Sequence, residues 1–296
     1  MVCNACPRNC SVDRSIQTGY CGVPSDFIVG RIGLHYYEEP CISGALQGKD
    51  KRGSGTVFFS GCNLRCCYCQ NHPISHLAEG KRISSQELEE AVAQLEKDGA
   101  YNINLVTPTH YSEQLVPLLE RLRKRVSVPF VYNCGGYEKV ETLRKLDGLI
   151  DIYMPDCKYF SPELSLKYSG AKDYFDIFTQ AVTEMFRQTG PCRLDEEGMM
   201  QRGLLLRHLV LPGCRKDSEQ ILRKVADFLP VKDIRLSLMN QYTPEFASDC
   251  SFRSLHRKVT TFEYESVLNT AMELGYIGYF QGRSSASSEY TPQFNK

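Results

Sequence analysis

The chain has 296 residues, and its 35 Lys and Arg side chains balance 35 Asp and Glu side chains. This balance argues against general electrostatic capture of nucleic acid or of an anionic membrane surface. No stretch approaches the roughly 18 apolar residues that a membrane-spanning helix needs, and the N-terminus lacks the apolar segment of a secretory signal. We therefore expect a cytoplasmic protein that has no membrane partner and does not act mainly on nucleic acid.

The first 50 residues are rich in Cys, Gly and Pro, and the chain has 14 cysteines in all. In a cytoplasmic chain of this size, so many cysteines indicate metal sites more than disulfides. Cys3, Cys6, Cys10 and Cys21 form a complete set of four thiolates, suited to Zn²⁺ or to an iron–sulfur cluster. Free thiols are the alternative. We interpret residues 1–50 as a Cys-rich, metal-binding N-terminal extension.

Short apolar runs then alternate with amphipathic stretches, which predicts repeated strand–helix units. Six runs are typical of buried strands, at residues 56–61, 103–106, 130–133, 151–156, 204–211 and 233–239. Helices are predicted at residues 84–99, 112–122, 138–146, 173–188 and 218–228, with Ser84 and Ser218 as N-caps. This pattern predicts an α/β fold with a parallel sheet, organised as a partial (β/α)6 barrel. The core covers residues 51–245, and residues 246–296 form a C-terminal helix or strand and a flexible tail.

The loop directly after the first strand, residues 61–71, carries Cys62, Cys66 and Cys69. We name it the cysteine loop. Three thiolates can hold three irons of a [4Fe-4S] cluster and leave the fourth iron open to a chelating ligand. A zinc knuckle that also uses Cys67 is less favoured, because the adjacent side chains of Cys66 and Cys67 diverge. The remaining alternative is a set of buried small hydrophobic residues.

Polar residues also occur at the ends of later strands, where a barrel places its chemistry. Met154, Asp156 and Lys158 share one face of the fourth strand. A buried Asp and Lys are costly unless they pair with each other or bind a polar ligand. Arg207 interrupts an apolar strand and suits a carboxylate, either of a ligand or of a core Asp or Glu. Asn133 ends the third strand. Its amide can both donate and accept, so it either contacts a ligand or belongs to a plain turn.

Several segments together resemble the radical S-adenosylmethionine (SAM) superfamily, and in particular a branch related to pyruvate formate-lyase activating enzymes. The resemblance rests on the motifs CPRNC, EEPCISG, GSGTVFFSGCNLRCCYCQN, NINLVTPTHY, VYNCGGYE, DIYMPDCKY, EMFRQTG and RHLVLPG. It implies a radical SAM barrel in which Cys62, Cys66 and Cys69 hold a [4Fe-4S] cluster. It also implies SAM as the ligand of the open iron, cleaved reductively to a 5′-deoxyadenosyl radical.

The resemblance implies a set of SAM-binding residues as well. These are Tyr68 near the adenine, Asn133 along the cofactor, Met154, Asp156 and Lys158 in the SAM site, and Arg207 at the SAM carboxylate. One segment departs from the family, which usually has G-G-E at the end of the second strand, to meet the SAM ammonium. Here the segment is VTPTHY, so Thr107 and Thr109 are the expected acceptors, and His110 is a candidate for facing the substrate.

The expected partners follow from this chemistry. A flavodoxin- or ferredoxin-type reductant supplies the electron, and the radical then abstracts hydrogen from a glycyl-radical protein. A small molecule or another macromolecule is the alternative target. Outside the enzymes, the rival hypothesis is a metal-binding or electron-transfer protein. Asp156, Lys158 and Arg207 argue against that rival, because an electron carrier does not need a polar ligand cavity.

Overall fold

The computed structural model describes residues 2–44, 52–248 and 250–281. The described residues contain ten strands, and all of them belong to one sheet. The strands are β1 Phe27–His35, β2 Gly53–Phe59, β3 Lys81–Ile83, β4 Ala100–Val106, β5 Phe130–Cys134, β6 Ile152–Pro155, β7 Arg193–Leu194, β8 Met200–Leu209, β9 Arg235–Met239 and β10 Gly278–Phe280.

Helices connect the strands. The α-helices of the described residues are α1 Pro40–Ser43, α2 His72–Ser75, α3 Ser85–Lys97, α4 Ser112–Leu122, α5 Val140–Arg144, α6 Pro162–Ser169, α7 Tyr174–Thr189, α8 Arg215–Ala226 and α9 Thr261–Glu273. No helix among the described residues has the length and apolarity that a membrane span requires.

The sheet is mainly parallel, in the order β10-β9-β8-β6-β5-β4-β2-β1-β3, with β7 paired to β8. All six predicted strands are present. A seventh parallel strand, β10, pairs with β9, so the parallel sheet continues past residue 245. β1 was not predicted and pairs antiparallel with β2. The predicted flexible tail largely coincides with residues 282–296, which lie outside the described residues.

The predicted N-cap of α3, Ser84, is confirmed. Ser84 Oγ accepts from the Glu87 N–H at 3.1 Å, and the Glu87 carboxylate accepts from the Ser84 N–H at 2.8 Å. The predicted start of α8 at Ser218 is wrong. The helix begins at Arg215, three residues earlier, and Ser218 is buried within its first turns. The N-cap residue is Cys214, directly after Pro212 and Gly213, and the Gly213 N–H donates to Glu263 Oε1 at 2.7 Å.

The concave side of the parallel sheet is filled from its amino-terminal end. α1 enters there, and Asn102 Nδ2 donates to the Ile42 carbonyl at 2.6 Å. An apolar cluster consists of Cys41, Ile42, Val131, Ile152, Met154, Met200 and Leu205. Glu38 and Glu39 directly precede α1, so the chain carries two carboxylates into the interior. Their position sets the electrostatics of the site described below.

The N-terminal extension packs against the cysteine loop. Arg8 Nε donates to the Asn63 carbonyl at 2.7 Å, and the Cys62 N–H lies 3.4 Å from the Cys21 carbonyl. Thr142 Oγ1 also donates to the Ala5 carbonyl at 2.9 Å. The extension therefore contacts the loop that carries the predicted cluster ligands.

Candidate active site

A cavity lies at the carboxyl ends of the parallel strands, beside the cysteine loop. Its wall includes the three predicted cluster ligands and six of the predicted cofactor-binding residues: Cys62, Cys66, Cys69, Tyr68, Thr107, Asn133, Asp156, Lys158 and Arg207. The register explains this convergence. Asn133 is paired with Met154 across β5 and β6, and Asp156 forms a parallel bridge with Arg207. Neighbouring strand ends therefore present their polar residues at one edge of the sheet.

Each of the three sulfurs that are predicted cluster ligands accepts a hydrogen bond. The Leu64 N–H donates to Cys62 Sγ at 3.3 Å, Ser169 Oγ donates to Cys66 Sγ at 2.9 Å, and Ser75 Oγ donates to Cys69 Sγ at 3.3 Å. These donors favour sulfurs that carry negative charge, as iron-bound thiolates do.

Cys67 differs from its neighbours in the loop. It does not line the cavity, and its Sγ lies 3.3 Å from Cys250 Sγ instead. The structure thus separates the adjacent Cys66 and Cys67 side chains, as the sequence predicts.

The donor set of the loop fits an iron–sulfur cluster. Burial raises the pKa of the Cys62 thiol to about 12, so a thiolate there needs a positive partner such as iron. Over residues 2–44, 52–248 and 250–281, no group of three or more His, Cys, Asp or Glu side chains is arranged to hold a metal ion. In a four-iron cluster each thiolate binds a different iron, so the three sulfurs need not converge on one point.

A network of ion pairs lies at the same cavity. It consists of Glu38, Glu39, Asp156, Lys158 and Arg207. Arg207 Nη1 lies 3.2 Å from Glu38 Oε2, and Arg207 Nε lies 3.2 Å from Glu39 Oε1 and 3.9 Å from Asp156 Oδ1. Lys158 Nζ lies 2.7 Å from Asp156 Oδ2. The network therefore combines three carboxylates with two cations, and all of its members except Glu39 line the cavity.

Burial and pairing set the charges in this network. Burial by itself lowers the pKa of Lys158, but Asp156 and Cys66 raise it overall, so the ammonium stays charged at neutral pH. Burial raises the pKa of Glu38 to about 7, against the opposing effect of Arg207. Arg207 is held charged by Glu39 and Glu38, which raise its pKa despite burial.

Sequence reasoning missed Glu38 and Glu39 as site residues. The alternative that it left open for Arg207, a core arginine paired with acidic residues, describes the contacts that the structure shows. The available signal was the acidic pair in the segment EEPCISG, one of the motifs that carry the family resemblance. Two adjacent acidic residues are ordinarily solvent-exposed, so no local pattern places them in the interior.

Thr107 lies at the cavity in a strained backbone conformation. Its φ is +56°, a left-handed conformation that β-branched residues rarely adopt. The Thr107 N–H donates to the Asn133 carbonyl at 2.8 Å, which ties the ends of β4 and β5 together. Strain of this kind is typical of backbone that is held in place for a ligand.

Three other predicted residues do not reach the cavity. Thr109 is buried, its hydroxyl donates to Glu138 Oε1 at 2.7 Å, and its carbonyl accepts from Ser112 Oγ at 2.9 Å. The prediction that Thr109 contacts the SAM ammonium is therefore wrong, because its hydroxyl and its carbonyl are both already hydrogen-bonded within the protein. His110 is buried with Nε2 at 2.7 Å from the Ser60 carbonyl. Met154 packs in the apolar cluster that includes residues of α1. It lies in β6, two residues before Asp156, and therefore nearer the amino-terminal end of the strand.

Two glycines bring backbone close to the cysteine loop. A Cβ at Gly135 would lie 2.7 Å from Leu64 Cδ1, and a Cβ at Gly136, whose φ is +77°, would overlap the Asp156 carbonyl. Only glycine allows this close packing. Gly135 and Gly136 thus allow the end of β5 to pack against the cysteine loop and against Asp156, the ion-pair partner of Lys158.

The four N-terminal cysteines are close enough to influence one another. Burial raises the pKa of Cys6 to about 12, and Cys21 and Cys10 add to the rise. Burial also raises the pKa of Cys21, with contributions from Cys3 and Cys10. The structure therefore groups the four thiols, but it shows no assembled second metal site within the described residues.

The fold and the site define an α/β enzyme with a three-cysteine loop at the carboxyl edge of a parallel sheet. The family model described as the Radical SAM superfamily matches residues 56–192, and this domain of the chain belongs to that superfamily. The family implies a [4Fe-4S] cluster and SAM as cofactors, and reductive cleavage of SAM to a radical.

Two curated proteins and a solved structure are similar to this chain. The chain is 28% identical to the uncharacterized protein MJ0674 of Methanocaldococcus jannaschii, over 91% of this chain and 74% of the relative. It is 25% identical to the pyruvate formate-lyase-activating enzyme of Clostridium pasteurianum, over 60% of this chain and 69% of the relative. The solved structure of Streptococcus suis SuiB bound to its precursor peptide SuiA has a similar fold, with a TM-score of 0.50 and 15% identity. That match covers 77% of this chain and 48% of the SuiB chain.

Proposed function

We propose that this chain holds a [4Fe-4S] cluster on Cys62, Cys66 and Cys69 and binds SAM in the adjoining cavity. One observation carries the proposal: the three cysteines share a single cavity wall with Asp156, Lys158 and Arg207. When bound, the reduced cluster supplies the electron that splits SAM into methionine and the 5′-deoxyadenosyl radical.

The residues of the chain bind and orient SAM in this proposal. Arg207 pairs with the SAM carboxylate, since a guanidinium offers two parallel donors to it. The ammonium of SAM is accepted by Thr107, whose strained backbone lies at the cavity. Asn133 and the pair Asp156–Lys158 contact the polar groups along the cofactor. Tyr68 packs near the adenine.

The radical then abstracts a hydrogen atom from a substrate, which yields 5′-deoxyadenosine and a substrate radical. We propose a glycyl-radical protein as the target, supported by the similarity to a pyruvate formate-lyase-activating enzyme. α1 fills the amino-terminal end of the sheet, so such a target must approach from the carboxyl edge. The reaction requires an external one-electron donor of the flavodoxin or ferredoxin type.

The N-terminal extension takes a second metal centre in this proposal, either Zn²⁺ or an iron–sulfur cluster, on Cys3, Cys6, Cys10 and Cys21. Four thiolates leave no open position for SAM. The contacts of Arg8 and Cys21 with the cysteine loop support a role in holding that loop.

The test is SAM cleavage by anaerobically reconstituted protein with dithionite. Methionine and 5′-deoxyadenosine are the expected products. Cys62→Ala, Cys66→Ala and Cys69→Ala each abolish cleavage, and Cys67→Ala serves as the matched control because it removes a neighbouring thiol outside the cavity. Cleavage that survives all three substitutions contradicts the assignment of the cluster.

A further inference from the structure

A chain of three buried hydroxyl groups leads from the cavity to Cys66. Ser169 Oγ lies 2.9 Å from Cys66 Sγ, Tyr159 Oη lies 2.6 Å from Ser169 Oγ, and Tyr68 Oη lies 2.7 Å from Tyr159 Oη. Tyr159 and Ser169 are 1% and 3% exposed, so water does not replace these contacts. We call Tyr68, Tyr159 and Ser169 the hydroxyl relay.

Proton counting fixes the direction of the hydroxyl relay. A cysteine sulfur that is bound to iron has no proton and can only accept a hydrogen bond, so Ser169 is the donor to Cys66. Each hydroxyl has one proton, so Ser169 then accepts from Tyr159, and Tyr159 accepts from Tyr68. The hydroxyl proton of Tyr68 is therefore committed to the relay, and Tyr68 can only accept from a ligand in the cavity.

We propose that the hydroxyl relay is a positioning device that keeps one hydrogen bond on Cys66 and raises the reduction potential of the cluster. The inference rests on the proposed role of Cys66 as a cluster ligand. A hydrogen bond to a ligating sulfur stabilises the more negative, reduced state. Because Tyr68 lines the cavity, a ligand bound there contacts the first member of a chain that ends on the cluster.

The surrounding structure holds the last member of the relay in place. Ser169 is the final residue of α6, and Gly170 ends that helix in the left-handed conformation, with φ of +60°. Arg8 Nη2 donates to the Ser169 carbonyl at 2.8 Å, and Arg8 Nη1 donates to the Gly170 carbonyl. Arg8 also bonds Asn63 of the cysteine loop. One guanidinium thus fixes Ser169 relative to the loop that carries Cys66.

Among the three sulfurs, Cys66 receives the shortest hydrogen bond, and a side chain provides it. Cys62 receives its bond from the Leu64 backbone N–H, which any substitution except proline retains, and Cys69 receives a longer bond, of 3.3 Å, from Ser75. Of the two side-chain donors, Ser169 therefore makes the shorter hydrogen bond to a proposed cluster ligand, and a single substitution removes it.

The test is a redox titration of the anaerobically reconstituted protein, followed by the electron paramagnetic resonance signal of the reduced cluster. Ser169→Ala is expected to lower the midpoint potential at full iron content. Tyr159→Phe gives a smaller decrease, because Ser169 still donates but has lost the donor that orients it. Ser169→Thr keeps the hydroxyl and restores the wild-type potential.

Ser165→Ala is the matched control, because Ser165 lies in the same helix, is also buried, and its hydroxyl donates to the Pro162 carbonyl. Its potential stays at the wild-type value. An unchanged potential in Ser169→Ala overturns the relay. If Ser169→Ala does not retain iron, an unchanged potential in Tyr159→Phe overturns it instead. A cluster that survives Cys66→Ala contradicts the proposed ligand itself, and this outcome is separate from a relay that has no effect.

Discussion

Glu38 and Arg207 form an ion pair at the cavity, with Glu38 Oε2 at 3.2 Å from Arg207 Nη1. The guanidinium that we assign to the SAM carboxylate is thus already paired with a carboxylate of the chain. Glu39 holds the same guanidinium through Nε. When SAM binds, its carboxylate must share Arg207 with Glu38 or displace it. Glu38 is therefore a competitor that limits the affinity for SAM.

This competition predicts opposite effects of two substitutions on SAM affinity. Arg207→Ala removes a charged hydrogen bond, which costs about 1.5–3 kcal/mol, or roughly ten- to a hundredfold in Kd. Glu38→Gln removes the competing charge and strengthens binding severalfold. In the Arg207→Ala background, Glu38→Gln no longer strengthens binding, because the two residues act as a pair. Calorimetry at constant iron content measures all four proteins. Equal effects of Glu38→Gln in both backgrounds contradict the pairing.

A second prediction concerns the pair Asp156 and Lys158, whose charged atoms lie 2.7 Å apart at the cavity. Asp156→Asn and Lys158→Ala are each expected to weaken SAM binding by roughly tenfold or more, without loss of the cluster. Equilibrium dialysis with matched iron content provides the measurement. Lys172→Ala, at an exposed position, is the control. Unchanged affinity in both variants assigns the pair a purely structural role.

The strands and the cysteine loop were predictable because their signals are local. Buried strands appear as apolar runs, and Cys62, Cys66 and Cys69 follow one of them at fixed spacing. The ends of parallel strands meet at one edge of the sheet, so Asp156, Lys158 and Arg207 were expected near the loop, and the structure brings them to the same cavity.

The remaining features depend on contacts between distant segments. The partner of Arg207 is Glu38, 169 residues earlier in the chain, and no local pattern relates the two. Cys66 and Ser169 are likewise 103 residues apart. Thr109 was expected at the cavity, but the 3-10 turn Thr109–Tyr111 points its hydroxyl to Glu138. Such turns are decided by packing rather than by the sequence of the turn itself.

A third prediction separates two adjacent cysteines. Cys67→Ala is expected to retain both the cluster and SAM cleavage, because Cys67 Sγ contacts Cys250 Sγ and not the cavity. Cys66→Ala removes a ligand and loses both. Iron analysis and product chromatography of the two variants, prepared in parallel, check the prediction. Loss of iron in Cys67→Ala to the same degree as in Cys66→Ala contradicts it.

A fourth prediction concerns the N-terminal extension. Replacement of Cys3, Cys6, Cys10 and Cys21 by Ser is expected to remove one metal centre and to leave SAM cleavage in place, since the cysteine loop is unchanged. Metal analysis and product chromatography measure the two outcomes. Wild-type metal content in this variant contradicts the second site. Complete loss of cleavage, with the SAM cluster intact, shows instead that the N-terminal site takes part in reducing SAM.

The fifth prediction concerns the pH dependence of stability and rests on Glu138. This carboxyl is 2% exposed, and it accepts hydrogen bonds from Thr109 at 2.7 Å and from Tyr132 at 3.1 Å. Burial raises its pKa from 4.5 to about 7. Between these two values the folded state binds more protons than the unfolded state, so the free energy of unfolding falls as pH rises. The contribution of Glu138 is complete below pH 4.5 and is lost above about pH 7.

Glu138→Gln cannot titrate and therefore lacks this dependence. The difference in unfolding free energy between the wild type and Glu138→Gln is expected to change by about 3 kcal/mol between pH 4.5 and pH 7. Above about pH 8 the difference stays constant. Chemical denaturation at matched iron content across this range measures it. Glu141→Gln, an exposed position in α5, controls for the loss of one negative charge. Parallel stability curves for wild type and Glu138→Gln from pH 4.5 to pH 8 contradict the prediction, because they show that Glu138 titrates alike in the folded and unfolded states.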